Sequence, residues 1–173
     1  MGVRIREATP DDAGAIAEIN VRDWRAAYGG VVSAATLDAL SVEDLQARFT
    51  GFMADPGRGS SALVALGDDG RVIGYTSFGT PRETSTDLED AGEVYAIYVE
   101  PEAWGSGWGG ALFAAAEDGL REAGFRRGFL WVLEENPRAR RFYEAAGWRW
   151  DGARSDHQVE CDNLPIVRYV ADL

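Results

Sequence analysis

Val3 and Ile5 alternate with charged neighbours, so residues 3–7 predict a short strand. The apolar spacing then lengthens. Thr9-Pro10-Asp11-Asp12 reads as a helix start, with Thr9 as N-cap, Pro10 in the first helical position and Asp12 closing a capping box. Ile16, Ile19, Asp23/Trp24 and Ala27 follow at helical spacing, and Gly29-Gly30 ends the element. A second helix starts at Ser41, with Leu45, Phe49 and Phe52 on one face. Residues 61–66 and 71–78 are apolar runs joined by Gly67-Asp68-Asp69-Gly70, a hairpin signal. The polar, acidic stretch 81–92 predicts an exposed, mobile loop. A strand rich in β-branched and aromatic residues follows at 93–99, stopped by Pro101.

Glycines at 105–110 open a helix to about Ala123, with Leu112, Ala116 and Leu120 facing inward. Residues 128–133 form the next strand, and Asn136-Pro137 caps a short helix that Gly147 ends. Strands at 148–154 and 166–171 complete the sheet. The order β-α-α-β-β-β-α-β-α-β-β is α/β with a mixed sheet, and its antiparallel opening hairpin excludes an all-parallel doubly wound sheet. No repeat or linker divides residues 1–173, so one domain is expected.

Composition narrows the chemistry. A single cysteine, Cys161, excludes an internal disulfide and a cysteine-cluster zinc site. A single histidine, His157, leaves no histidine pair, so no metal is expected. All 17 basic residues are arginine, and without lysine neither a Walker-type phosphate loop nor a Schiff base is available. The net charge of −12 opposes adhesion to nucleic acid; it suits cationic substrates, although solubility explains it better. No run reaches a membrane span's eighteen apolar residues and residues 1–10 carry no signal-peptide core, so the expected location is cytoplasmic.

The most informative segment is Trp104-Gly105-Ser106-Gly107-Trp108-Gly109-Gly110, between a strand and a helix. Glycines lose more backbone entropy on ordering than other residues, and four within six positions suggest a ligand pressed against the main chain. Free N–H groups at a helix start carry about +0.5 charge and favour phosphate. A tight turn built for close packing is the competing explanation. Residues 105–110 also satisfy G-x-G-x-x-G, the dinucleotide pattern of an oxidoreductase. That pattern needs glycine directly at a leading strand's end, whereas Pro101 and four further residues intervene here and too little chain follows.

The segment resembles the pyrophosphate-binding motif, Gln/Arg-x-x-Gly-x-Gly/Ala, of the GNAT superfamily of acetyl-CoA-dependent N-acetyltransferases. Asn136 and Phe142-Tyr143-Glu144-Ala145-Ala146-Gly147-Trp148 are similar to that family's second motif, and Trp24-Arg25-Ala26-Ala27-Tyr28-Gly29 to one of its branches. Trp104 stands where the motif has Gln or Arg. The resemblance implies a mostly antiparallel sheet of about seven strands and four helices, splayed at a coenzyme cleft. It implies that acetyl-CoA lies along the main chain of Ile97, Tyr98 and Val99. The backbone of Gly105, Ser106, Gly107, Trp108, Gly109 and Gly110 would hold its diphosphate, and Asn136 would touch its arm. An amine would then attack directly, with Tyr143 protonating the departing thiolate.

A glutamate at the spacing of Glu93 serves as general base in some branches of the family; an exposed strand-end carboxylate is the alternative. Trp24 and Tyr28 line the acceptor pocket or belong to the core. Arg138, Arg140 and Arg141 assist the phosphates or are solvated helix charges. His157 and Cys161 fall in a hairpin loop and receive no role. Residues 29–35 and 81–92 would set the amine acceptor. Homodimers are common in such folds, although nothing in this sequence demands one. A catalytically silent acyl-CoA-binding regulatory domain is the rival reading.

Overall fold

The computed structural model describes residues 4–55, 59–82 and 87–173. Val3, predicted as strand, and residues 83–86 of the acidic loop lie outside them. The described residues form one seven-stranded sheet with five α-helices, one more than expected. In chain order these are β1 (Arg4–Glu7), α1 (Ala13–Tyr28), α2 (Ala34–Ala39), α3 (Val42–Ala54), β2 (Ser60–Leu66), β3 (Val72–Gly79) and β4 (Ala91–Val99), followed by α4 (Trp108–Glu122), β5 (Arg127–Leu133), α5 (Pro137–Ala145), β6 (Arg149–Val159) and β7 (Asp162–Asp172). The additional helix, α2, begins at Ser33, whose hydroxyl caps the Thr36 N–H at 3.2 Å.

Strand order is β1-β2-β3-β4-β5-β7-β6. All pairings are antiparallel except β4 with β5, and that pairing is short: it joins Ala91, Gly92 and Glu93 to Arg127, Gly128 and Phe129 and then stops. Beyond it β4 stays with β3 up to Val99, and β5 stays with β7 up to Leu133. The two half-sheets therefore diverge into a V. A bulge at Tyr95 adds a local twist to β4, because Ser77 pairs with Ala96 while Phe78 pairs with Val94.

Helices close both faces. On one, Ile16 and Ile19 of α1 pack with Val64, Val72 and Tyr75. On the other, Phe113, Ala116 and Leu120 of α4 pack with Phe78, Val94, Leu130, Tyr143 and Trp148. The predicted inward residues Leu112, Ala116 and Leu120 have no exposed surface. Gly119 lets the Phe78 ring lie against α4, since a Cβ there would stand 2.4 Å from it.

Two sequence expectations are corrected. Ala91 and Gly92 are buried sheet residues rather than loop, because the parallel pairing with β5 starts there. The last hairpin is longer than its apolar residues indicated: His157 lies within β6 opposite Leu164, and Cys161 alone of the pair sits in the turn. No helix among the described residues is long and apolar enough to cross a membrane.

Candidate functional site

The V between β4 and β5 opens into a cleft of about 920 Å³. Among the described residues, the β4 edge that faces β5 has no strand partner from Val94 to Val99, so main-chain groups of Ile97, Tyr98 and Val99 border the cavity. An extended ligand can pair there as an added strand.

Gly105, Gly107, Gly109 and Gly110 line the same cleft. Gly105 and Gly107 have φ of +77° and +91°, in the region glycine occupies without strain, and Gly107 is the N-cap of α4. A Cβ built on Gly105, Gly107 or Gly110 meets nothing within 4 Å. Tight packing therefore does not account for these three glycines; positive φ accounts for Gly105 and Gly107, and all three leave the main chain open toward the cleft. The first N–H groups of α4 are free of helical partners. This donor set, concave and without side chains, fits a diphosphate. Ser106 and Trp108 stand apart from the cleft: the Ser106 hydroxyl donates to the Ala103 carbonyl, and the Trp108 ring packs in the cluster of Ala65, Ile73, Val99 and Leu112.

Asn136 caps α5, its carbonyl oxygen accepting from the Ala139 N–H at 3.0 Å, while its amide donates to the Tyr28 hydroxyl at 2.7 Å. Trp24 donates to the Tyr98 hydroxyl at 2.9 Å and packs on Tyr28 in a tilted arrangement with ring centroids 4.6 Å apart. Both aromatic residues are buried and both line the cleft, so pocket wall and core coincide. Tyr143 reaches the cleft from α5, its ring held by Phe113 and Tyr169. Burial raises its phenol above the ordinary tyrosine range, with the nearby Tyr28 and Asp23 adding to the rise. It therefore keeps its proton at neutral pH.

Glu93 is placed differently from the expectation of an exposed strand end. It is completely buried and is not among the lining residues. Its carboxylate accepts from the Arg82 main-chain N–H at 2.8 Å and from the guanidinium at 3.0 and 2.5 Å. Arg82 itself lines the cleft and lies over the Tyr95 ring. Direct contact between Glu93 and a substrate amine is thus blocked by its own ion pair.

Sequence reasoning missed other lining residues. Asp23 is buried on α1, and its carboxyl is pushed up to about 6 by desolvation, against the opposing charge of Arg138 and the Trp104 indole. A carboxylate on the apolar face of a helix, in register with Ile16 and Ile19, was the available signal. Ser155, Asp156 and His157 of β6 line the opposite wall. Partial desolvation at the cleft wall, with the charges of Arg82 and Arg48, lowers the His157 imidazole below its ordinary value. Of the three α5 arginines, Arg138 alone lines the cleft; Arg140 donates to the Tyr169 hydroxyl and the Glu134 carbonyl, and Arg141 is exposed. No cluster suited to a metal occurs among the described residues.

Residues 16–148 match the family model described as Acetyltransferase (GNAT) family. The chain is 32% identical over 165 residues to the uncharacterized N-acetyltransferase YuaI of Bacillus subtilis, covering 95% of this chain and 86% of that one. It is 35% identical over 109 residues to the mycothiol acetyltransferase of Sanguibacter keddieii, spanning 63% of this chain but a third of that protein (33%). Among solved structures, the PaiA N-acetyltransferase of Thermoplasma acidophilum in complex with coenzyme A superposes with a TM-score of 0.78 at 17% identity, over the full length of both chains. A phosphinothricin acetyltransferase of Sinorhizobium meliloti in complex with AcCoA gives 0.74 at 24% identity, covering 100% of this chain and 89% of that one.

Proposed function

The chain belongs to the GNAT acetyltransferase family, and from that premise we propose that it transfers an acetyl group from acetyl-CoA to a primary amine by direct attack. The observation that carries this reading is the meeting, in one cleft, of an unpaired strand edge, a glycine cradle at a helix start and a buried tyrosine.

Acetyl-CoA supplies the activated acyl thioester. The N–H groups of Gly107, Trp108, Gly109 and Gly110 hold its diphosphate; Trp108 contributes through its backbone while its ring faces the core. The free edge of Ile97, Tyr98 and Val99 receives the pantetheine arm, and a main-chain N–H there polarises the thioester carbonyl. Asn136 orders the Tyr28 side of the channel through their hydrogen bond. Tyr143 keeps its proton at neutral pH and delivers it to the departing sulfur. Glu93 fixes Arg82 beside the acceptor channel rather than taking a proton from the amine. His157 lines the cavity and is a group able to accept that proton.

Thiol release from acetyl-CoA, measured against a panel of amino acids, polyamines, aminoglycosides and peptide N-termini, tests this reading. Amine-dependent release together with the acetylated product is expected. Coenzyme binding with silence across the panel would favour the regulatory domain.

A further inference from the structure

The wall of the cleft beside the glycine loop carries a three-residue arrangement drawn from three elements. The Arg138 guanidinium, on the first turn of α5, lies 3.4 Å from the centroid of the Trp104 ring. Its Nη2 stands 3.6 Å from the Asp23 carboxylate on α1. Trp104 is anchored in turn, its indole N–H donating to the Val99 carbonyl at 2.9 Å. β4 leads into the Trp104 loop and β5 leads into α5, so this stack joins the two half-sheets across the V.

Two arginines line the cleft among the described residues, and they are bound very differently. Arg82 gives Glu93 three short N–H contacts, at 2.8, 3.0 and 2.5 Å. Arg138 approaches Asp23 only to 3.6 Å. A guanidinium resting on an aromatic plane keeps its N–H edge free for an oxyanion. We propose that Arg138 serves two anions in turn: Asp23 in the free protein, and the coenzyme diphosphate when the cleft is filled, with Trp104 as the surface on which it pivots. This rests on the acetyl-CoA reading above and adds a residue that discriminates for the phosphate-bearing carrier.

A proton linkage follows from the surroundings of Asp23. The titratable and charged groups that face it are Arg138 and Tyr143 of α5, Tyr28 of α1, Tyr75 of β3 and Tyr98 of β4. All four phenols are held above the ordinary tyrosine range by burial, so they stay neutral. Arg138 is the cation that opposes the desolvation of Asp23. When Arg138 turns to the diphosphate, Asp23 loses that opposition beside a new anion, and its affinity for a proton rises. Coenzyme binding therefore takes up protons, and affinity falls as pH rises through the titration of Asp23.

Calorimetric titration with coenzyme A and with pantetheine, at pH 7 in two buffers of different ionisation enthalpy, tests the pair. Wild type is expected to take up a fraction of a proton with coenzyme A and none with pantetheine. Arg138→Gln is expected to bind coenzyme A about tenfold or more weakly, while pantetheine binding holds and reports an intact cleft. Asp23→Asn is expected to bind coenzyme A without proton uptake. An Arg138→Gln variant that binds coenzyme A as wild type does, or wild-type binding without proton uptake, overturns the inference while leaving the acetyl-CoA reading in place. Failure of the wild type to bind coenzyme A removes both.

Discussion

Tyr143 and Glu93 were both candidates for the chemistry, yet their surroundings give them opposite uses. Tyr143 is buried and faces the cleft, so its proton is available to a leaving group. Tyr143→Phe preserves the ring packing against Phe113 and removes only the hydroxyl. It should lower kcat by about 10²–10⁴-fold, with KM for acetyl-CoA within about twofold, in steady-state thiol release. Full turnover would remove the general acid. Glu93→Gln should act on stability instead. Replacing an ion-paired, buried acceptor should cost about 1–3 kcal/mol, toward the lower end because Arg82 is half in solvent. Thermal melting should register that loss while the acidic limb of the pH–rate profile stays where it is. A displaced limb would return Glu93 to the role of base. Glu93 and Asp23 are both buried carboxylates on core-facing elements, and the sequence does not tell them apart. What separates them is the partner across space, Arg82 or Arg138, and no local spacing encodes that.

At the scale of elements, the glycine loop permits an internal comparison. Gly107 and Gly124 both have positive φ, +91° and +92°, and in neither case would a Cβ meet an atom within 4 Å. Alanine should strain either backbone by about 1–2 kcal/mol, so the two variants should melt at similar temperatures. Only Gly107 stands in the cleft, at the start of α4; Gly124 follows its end. Gly107→Ala should therefore weaken coenzyme A binding about tenfold or more in calorimetric titration, and Gly124→Ala should leave it unchanged. Equal losses would mean that the loop matters for folding alone. Elements with strong periodicity or explicit caps were legible in the sequence: α1, α4, α5 and the strands that form the core. The six-residue α2 was not, because it is too short for periodicity and only the Ser33 cap marks it. The β6 extension was hidden for another reason. It is an edge strand whose residues are exposed almost throughout, so no alternation appears.

For the whole molecule, the splayed sheet places a carboxylate where water is scarce, and stability should record it. Asp23 titrates near 3.8 when unfolded and at about 6 when folded, so between those values the native state binds more protons and stability falls as pH rises. Above pH 6 the deficit is complete, up to about 3 kcal/mol. Asp23→Asn should thus melt above the wild type at pH 8, and the difference should vanish below about pH 4. A variant less stable than wild type at pH 8 would show that the Arg138 contact outweighs the desolvation. Strand order and the V itself depend on where β4 and β5 part company. The sequence implied that divergence only through its resemblance to a family, since no residue pattern in β4 or β5 marks where their pairing ends after Glu93.

The central claim is that backbone nitrogens at the start of α4 grip a diphosphate, and a crystal structure of the chain with coenzyme A tests it most directly. Density for the diphosphate is expected within hydrogen-bonding distance of the Gly107–Gly110 amides, with the arm along Ile97–Val99. Coenzyme bound elsewhere, or a cleft kept shut by the Trp104 indole at saturating coenzyme, would contradict it.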